Sequence, residues 1–133
     1  MSPIITFTER DLLRGKPIEP AWYVVKMDEV GEGTLSSKGD STNYQMEGTV
    51  IKNADTGDVT FAGTPLDWNL NSKLTSAQRN FLEALGVEVK AQRYELKNAI
   101  GKSLEIFVEN DEWQGRILNR VNHKYRPLRE HNK

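Results

Sequence analysis

The run Gly101-Lys102-Ser103-Leu104-Glu105-Ile106-Phe107-Val108-Glu109-Asn110-Asp111-Glu112-Trp113-Gln114-Gly115-Arg116-Ile117-Leu118-Asn119-Arg120-Val121 reads as two strands joined by a tight turn. Leu104, Ile106 and Val108 alternate with Glu105, Phe107 and Glu109, the period-2 pattern of a half-buried strand. Asn110-Asp111 supplies turn chemistry, and Trp113, Gly115, Ile117 and Val121 resume the alternation. Arg116 and Arg120 fall on the face opposite Ile117 and Val121. Basic residues continue at Lys124, Arg126, Arg129 and Lys133. A twisted hairpin that presents aromatics and spaced cations suits nucleic acid without a recognition helix.

Working back from the hairpin, residues 1–20 form a lead-in. There Thr8-Glu9-Arg10-Asp11 resembles a capping box opening a short helix through Leu12 and Leu13, which Gly15 and Pro17 stop. Residues 21–30 are the first strand, centred on Trp22, Val24 and Val25, and 31–40 a polar loop punctuated by Gly33 and Gly39. Residues 42–52 make a second strand with Tyr44, Met46, Gly48 and Val50 on one face. Asn53-Ala54-Asp55-Thr56-Gly57 is a hairpin turn, and 58–63 a third strand that Pro65 ends. The period then changes. Thr75-Ser76-Ala77-Gln78 reads as a capping box, Leu74, Gln78, Phe81 and Leu85 keep helical spacing, and Gly86 is a stop, so a helix is expected over 75–85. Residues 87–89 read as extended and 95–99 as a helical turn.

The order β-β-β-α-β-β is that of an OB-fold, a mainly β, five-stranded Greek-key barrel with its helix between strands three and four. Gly48 is placed for the sharp bend that lets one strand serve both sheets. An α+β domain or a sandwich has the same strand count. The expected division is a lead-in at 1–20, the barrel at 21–122 and a basic C-terminal tail at 123–133.

Composition narrows the function. At 133 residues the chain is one ordinary domain, and without cysteine it has no disulfides, thiolate nucleophiles or cysteine metal sites. No apolar run approaches the roughly 20 residues of a membrane span, and no signal-peptide h-region is present, so a soluble cytoplasmic protein is expected. Net charge is −1, but residues 113–133 hold six Lys and Arg against Glu130, a local +5 that leaves −6 on the other 112 residues. Such an asymmetry can make one positive face on a globally neutral body, the alternative being a polar C-terminal tail that simply solvates itself.

Enzyme signals are poor. Gly101-Lys102-Ser103 ends like a phosphate-binding loop, but position 96 is Leu where that motif needs Gly, and a strand rather than a helix follows. His123 and His131 match no metal-ligand spacing, and no carboxylate pair stands in a setting that would drive two pKa values apart. No catalysis, metal or cofactor is expected. Among the aromatics, Phe61 and one of Trp22 or Tyr23 belong in a barrel core. Phe107 faces outward, either to stack on a base or to pack under residues 87–100. Trp68, in the apparent loop Pro65-Leu66-Asp67-Trp68-Asn69, is the better stacking candidate.

Several short runs resemble the small OB-fold single-stranded DNA-binding proteins of tailed bacteriophages, over roughly residues 18–127. They are Ile18-Glu19-Pro20-Ala21-Trp22-Tyr23-Val24-Val25-Lys26, Ser36-Ser37-Lys38-Gly39-Asp40-Ser41, Phe81-Leu82-Glu83-Ala84-Leu85-Gly86, Gly101-Lys102 and Asn119-Arg120-Val121. The resemblance implies a cytoplasmic protein that coats single strands during phage replication or recombination, alongside proteins of those processes. Many such proteins end in an acidic, partner-recruiting tail. This chain ends Arg126-Pro127-Leu128-Arg129-Glu130-His131-Asn132-Lys133, which favours direct contact of the tail with DNA. The expected contacts are Lys26, Lys38, Arg116, Arg120, Lys124 and Arg126 on phosphates, and Trp68, Tyr44 and Phe107 on bases. The rival reading is an OB-like protein-interaction module in a replication or virion assembly. A saccharide or small ligand in the barrel groove has no support beyond the fold.

Overall fold

Alternation builds the central strand. In β1 (Ala21–Val30), Tyr23, Val25 and Met27 are buried on one side while Lys26 is exposed on the other. The computed structural model describes residues 3–6, 8, 12, 16–31, 33–35, 39–90 and 94–128. Lys38, Arg129, Lys133 and most of the expected lead-in helix lie outside them. β2 (Thr34–Leu35) is a two-residue strand inside what the sequence presents as a plain loop. β3 (Thr42–Asn53) follows, then β4 (Pro65–Asn71), α1 (Thr75–Ala84), a 3-10 turn (Leu96–Ala99), β5 (Ser103–Trp113) and β6 (Arg116–Arg126).

All pairings are antiparallel, in the order β2-β3-β1-β5-β6, with β4 also on β3. Among the described residues no ladder joins β4 to β6, so the six-stranded sheet is not closed, although those two strands approach each other. α1 contacts both of them. Its buried face is Ala77, Phe81 and Ala84, and the Phe81 ring meets Tyr125 of β6 edge-on at 5.4 Å. At its C-terminus Gly86, at φ +86°, lets its own N–H reach Glu83 O and that of Val87 reach Leu82 O, a Schellman stop. Gly48 takes no side chain because an ideal Cβ there would stand 2.7 Å from Val25 Cγ1 and 3.0 Å from the Lys26 carbonyl oxygen.

Five expectations are corrected. The third long strand is 65–71, not 58–63. Asp58 accepts from the backbone N–H and hydroxyl of Thr60, a local turn that competes with strand pairing, and Pro65 opens β4, a position that needs no N–H. Trp68 is therefore not a loop residue. It lies on the inner side of β4 opposite Met46 and is 6 % exposed. The terminal turn is Gln114-Gly115, both at positive φ (51° and 76°), three residues beyond Asn110-Asp111. Asn110 is instead a strand residue whose amide donates to the Ile18 carbonyl, and Asn119 accepts from Ile18 N–H and donates to Lys16 O. The expected capping box does not form. α1 is preceded by Leu74 with no side-chain cap, and the Gln78 amide turns back to Asn71 O and Ser72 O. Finally, β6 runs through Arg126, so residues 123–126 are sheet rather than tail.

Candidate nucleic-acid interface

Strand parity sorts the side chains of β1, β5 and β6 between two sides. Leu104, Ile106 and Val108 of β5 pair with Val25, Tyr23 and Ala21 of β1 on the core side. The residues between them face outward. Across β1 and β5, Trp22 pairs with Phe107, Val24 with Glu105 and Lys26 with Ser103. Across β5 and β6, Glu105 pairs with Arg126, Glu109 with Arg120, Asp111 with Leu118 and Trp113 with Arg116. One outer face thus carries Trp22, Phe107 and Trp113 together with cations along β6, a line of about 30 Å at strand rise.

The aromatics and cations are layered. The Trp22 and Phe107 rings meet edge-to-face at 5.5 Å, the orientation their quadrupoles prefer. The Arg126 guanidinium lies 4.1 Å from the Trp22 centroid, and Lys124 Nζ 5.2 Å from that of Phe107. A local irregularity sets this up. Between Ile106–Tyr125 and Val108–Val121, residues 122–124 of β6 stand against Phe107 alone. His123 takes φ +58° there, and its Nδ1 lies 3.1 Å from the Tyr125 hydroxyl.

Carboxylates accompany the cations. Arg126 bridges the fully buried Glu105 and, at 2.8 Å, Asp55. Arg120 meets Asp111 at 2.7 Å, and Lys124 lies 3.8 Å from Glu109. Lys26, Lys52 and Arg116 form no ion pair among the described residues. Lys52 pairs with Val24 and so extends the face onto β3, beside a depression of about 250 Å³ lined also by Ala54, Asp55, Thr56 and Gly57. Two groups behind the face titrate abnormally. Burial, helped by the nearby Arg120 charge, lowers the pKa of His123, and burial raises that of Tyr125 against the opposing effect of the Trp68 indole.

Of the residues singled out from sequence, Lys26, Phe107, Arg116, Arg120, Lys124 and Arg126 come together on this one face. Two do not. Trp68 is in the core, its Nε1 buried without a hydrogen bond of ordinary geometry. Tyr44 is half-buried on the core side of β3, opposite Leu70 and packed on Gly33, whose Cβ would stand 2.9 Å from Tyr44 Cε1. The expected packing of Phe107 under residues 87–100 gives way to packing on Trp22. Sequence reasoning missed Trp22 and Trp113 as surface aromatics, although the alternation of Trp22 with Tyr23 carried the signal.

Among the described residues no cluster of His, Asp or Glu is placed to hold a metal ion, and no helix is long and apolar enough to cross a membrane. Comparison of the chain with protein-family models and with curated proteins gives no match.

Proposed function

We propose that the chain is an OB-fold protein that binds single-stranded DNA with little sequence preference, in the cytoplasm and without catalysis, as a coat during replication or recombination. The strand connectivity supports the fold part of this reading: the antiparallel path β4-β3-β1-β5-β6, with the helix between β4 and β5, is compatible with an OB-fold whose last ladder is not formed. The observation that carries the binding part is the Trp22–Phe107 pair flanked by Arg126 and Lys124. Half-buried rings bordered by guanidinium and ammonium groups support stacking of any base.

The test is an anisotropy titration of a labelled oligothymidylate with wild type and Phe107→Ala at two salt concentrations. Loss of a stacked base costs about 1–3 kcal/mol, roughly 5- to 150-fold in affinity. No binding at low salt, or binding indifferent to Phe107→Ala and to Arg116→Ala with Arg120→Ala, would sink the proposal. A protein-interaction role is favoured by one observation, the exposure of Trp113 and Ile117 at the hairpin end. It predicts no response to oligonucleotide and loss of a protein partner on Trp113→Ala.

A further inference from the structure

The outward positions of β5 read Glu105, Phe107, Glu109, Asp111, Trp113, and β6 beside them carries Arg126, Lys124, Arg120 and Arg116. A row of carboxylates therefore lies one strand spacing, about 4.8 Å, from the row of cations. Asp111 holds Arg120 at 2.7 Å. Glu109 turns an oxygen that is shielded from solvent and makes no hydrogen bond toward Lys124, at 3.8 Å. The aromatic positions alternate with these acids along the same strand rather than lying behind them.

We infer that Glu109 and Asp111 are specificity-determining residues of this face, which exclude duplex DNA and leave attachment to unpaired bases. The inference rests on the reading that the face binds nucleic acid. A duplex offers this ribbon two close lines of phosphates. To use Arg120 and Lys124 it must displace their carboxylates and then sit within a few ångströms of them, a like-charge arrangement. A single strand has another course. Its bases lie on Phe107, Trp22 and Trp113, and its flexible backbone turns phosphates toward Lys26, Lys52 and Arg116, which no carboxylate holds among the described residues. The acids thus cancel the contribution on which duplex binding depends and leave stacking untouched.

The experiment uses the full chain with Glu109→Gln and Asp111→Asn combined, and Asp111→Asn alone as a second variant. Both side chains are partly or largely exposed, and a melting curve checks that each variant folds. The probes are a labelled oligothymidylate and a mixed-sequence duplex of equal length, titrated at about 50 and about 200 mM salt. Two freed cations steepen the log–log salt slope by about 1.4 on the single strand and about 1.8 on the duplex. Over that salt range the double variant should lose about sevenfold more affinity than wild type on the single strand and about twelvefold more on the duplex. At the lower salt its preference for single strand over duplex should collapse, with the duplex gaining more. Asp111→Asn alone should give about half the slope change. A wild type that binds single strand, paired with variants whose preference and slopes are unchanged, would overturn this inference and leave the binding reading standing. A wild type that binds neither probe would overturn both.

Discussion

Trp68→Ala separates a core tryptophan from a stacking one. Trp68 is 6 % exposed and lies across from Met46, its Cζ3 3.7 Å from where a Cβ on Gly48 would stand. A tryptophan buries about 150–250 Å². At about 25 cal/mol per Å² its burial is worth about 4–6 kcal/mol, close to the 3–5 kcal/mol typical of Trp-to-Ala changes in cores. The variant should therefore lose about 4 kcal/mol, which for a domain of this size lowers Tm by roughly 10–16 °C. Trp68→Phe should cost only about 1–2 kcal/mol, because the ring is partly kept and a buried N–H without a good hydrogen bond is removed. Urea unfolding followed by circular dichroism gives both values. Below the variant's melting transition, its oligonucleotide affinity should match wild type. A Trp68→Ala protein within about 1 kcal/mol of wild-type stability but with weakened oligonucleotide binding would refute the core placement.

Further outcomes follow from single positions. Gly48→Ala should cost about 1–3 kcal/mol in urea unfolding, because the Lys26 carbonyl it would crowd is backbone and cannot swing away. The lowered pKa of His123 means that the unfolded chain binds the proton more readily. Stability should therefore be complete above the ordinary histidine value of about 6.5 and fall as pH drops below it toward the folded value. His123→Asn, which tolerates the positive φ, should flatten that slope in urea midpoints taken across the window. Gln114→Asn should raise the urea midpoint and slow amide exchange in the hairpin, since Asn-Gly suits two successive positive-φ residues.

What the sequence revealed and what it hid have different physical causes. β1 was legible because Tyr23, Val24 and Val25 form a continuous buried apolar run, and β3 because Met46, Gly48 and Val50 are buried on one side, which writes a period of two into the chain. The helix was legible for the same reason at a longer period, with its end marked by Gly86. β4 was hidden by punctuation. Pro65 looks like a stop, yet Leu66, Trp68 and Leu70 alternate with Asp67 and Asn69 as clearly as any strand here. The terminal turn was misplaced because Asn110 has the composition of a turn but is used at long range, on the backbone of Ile18, 92 residues away. For the outer face, the cations and Phe107 were readable from parity. The carboxylate of Asp55 was not, because it meets Arg126 only through the tertiary fold.

The same parity ties the site to the core. In β5, Leu104, Ile106 and Val108 are wholly buried on the core side, while Phe107, Glu109 and the equally buried Glu105 lie on the other side of the strand. A slip of one residue would put Phe107 inside and Ile106 outside, so every contact that fixes the core register also fixes the spacing of aromatics and charges. Tyr125 makes the coupling specific. Its ring is held by Phe81 of the helix, it pairs with Ile106, and it fixes β6 just where residues 122–124 bulge to carry Lys124 over Phe107. The next residue, Arg126, points the other way, onto Trp22 and the buried Glu105. Loosening the helix from β6 should therefore disturb the outer face before the rest of the sheet, although no helix residue lies on that face.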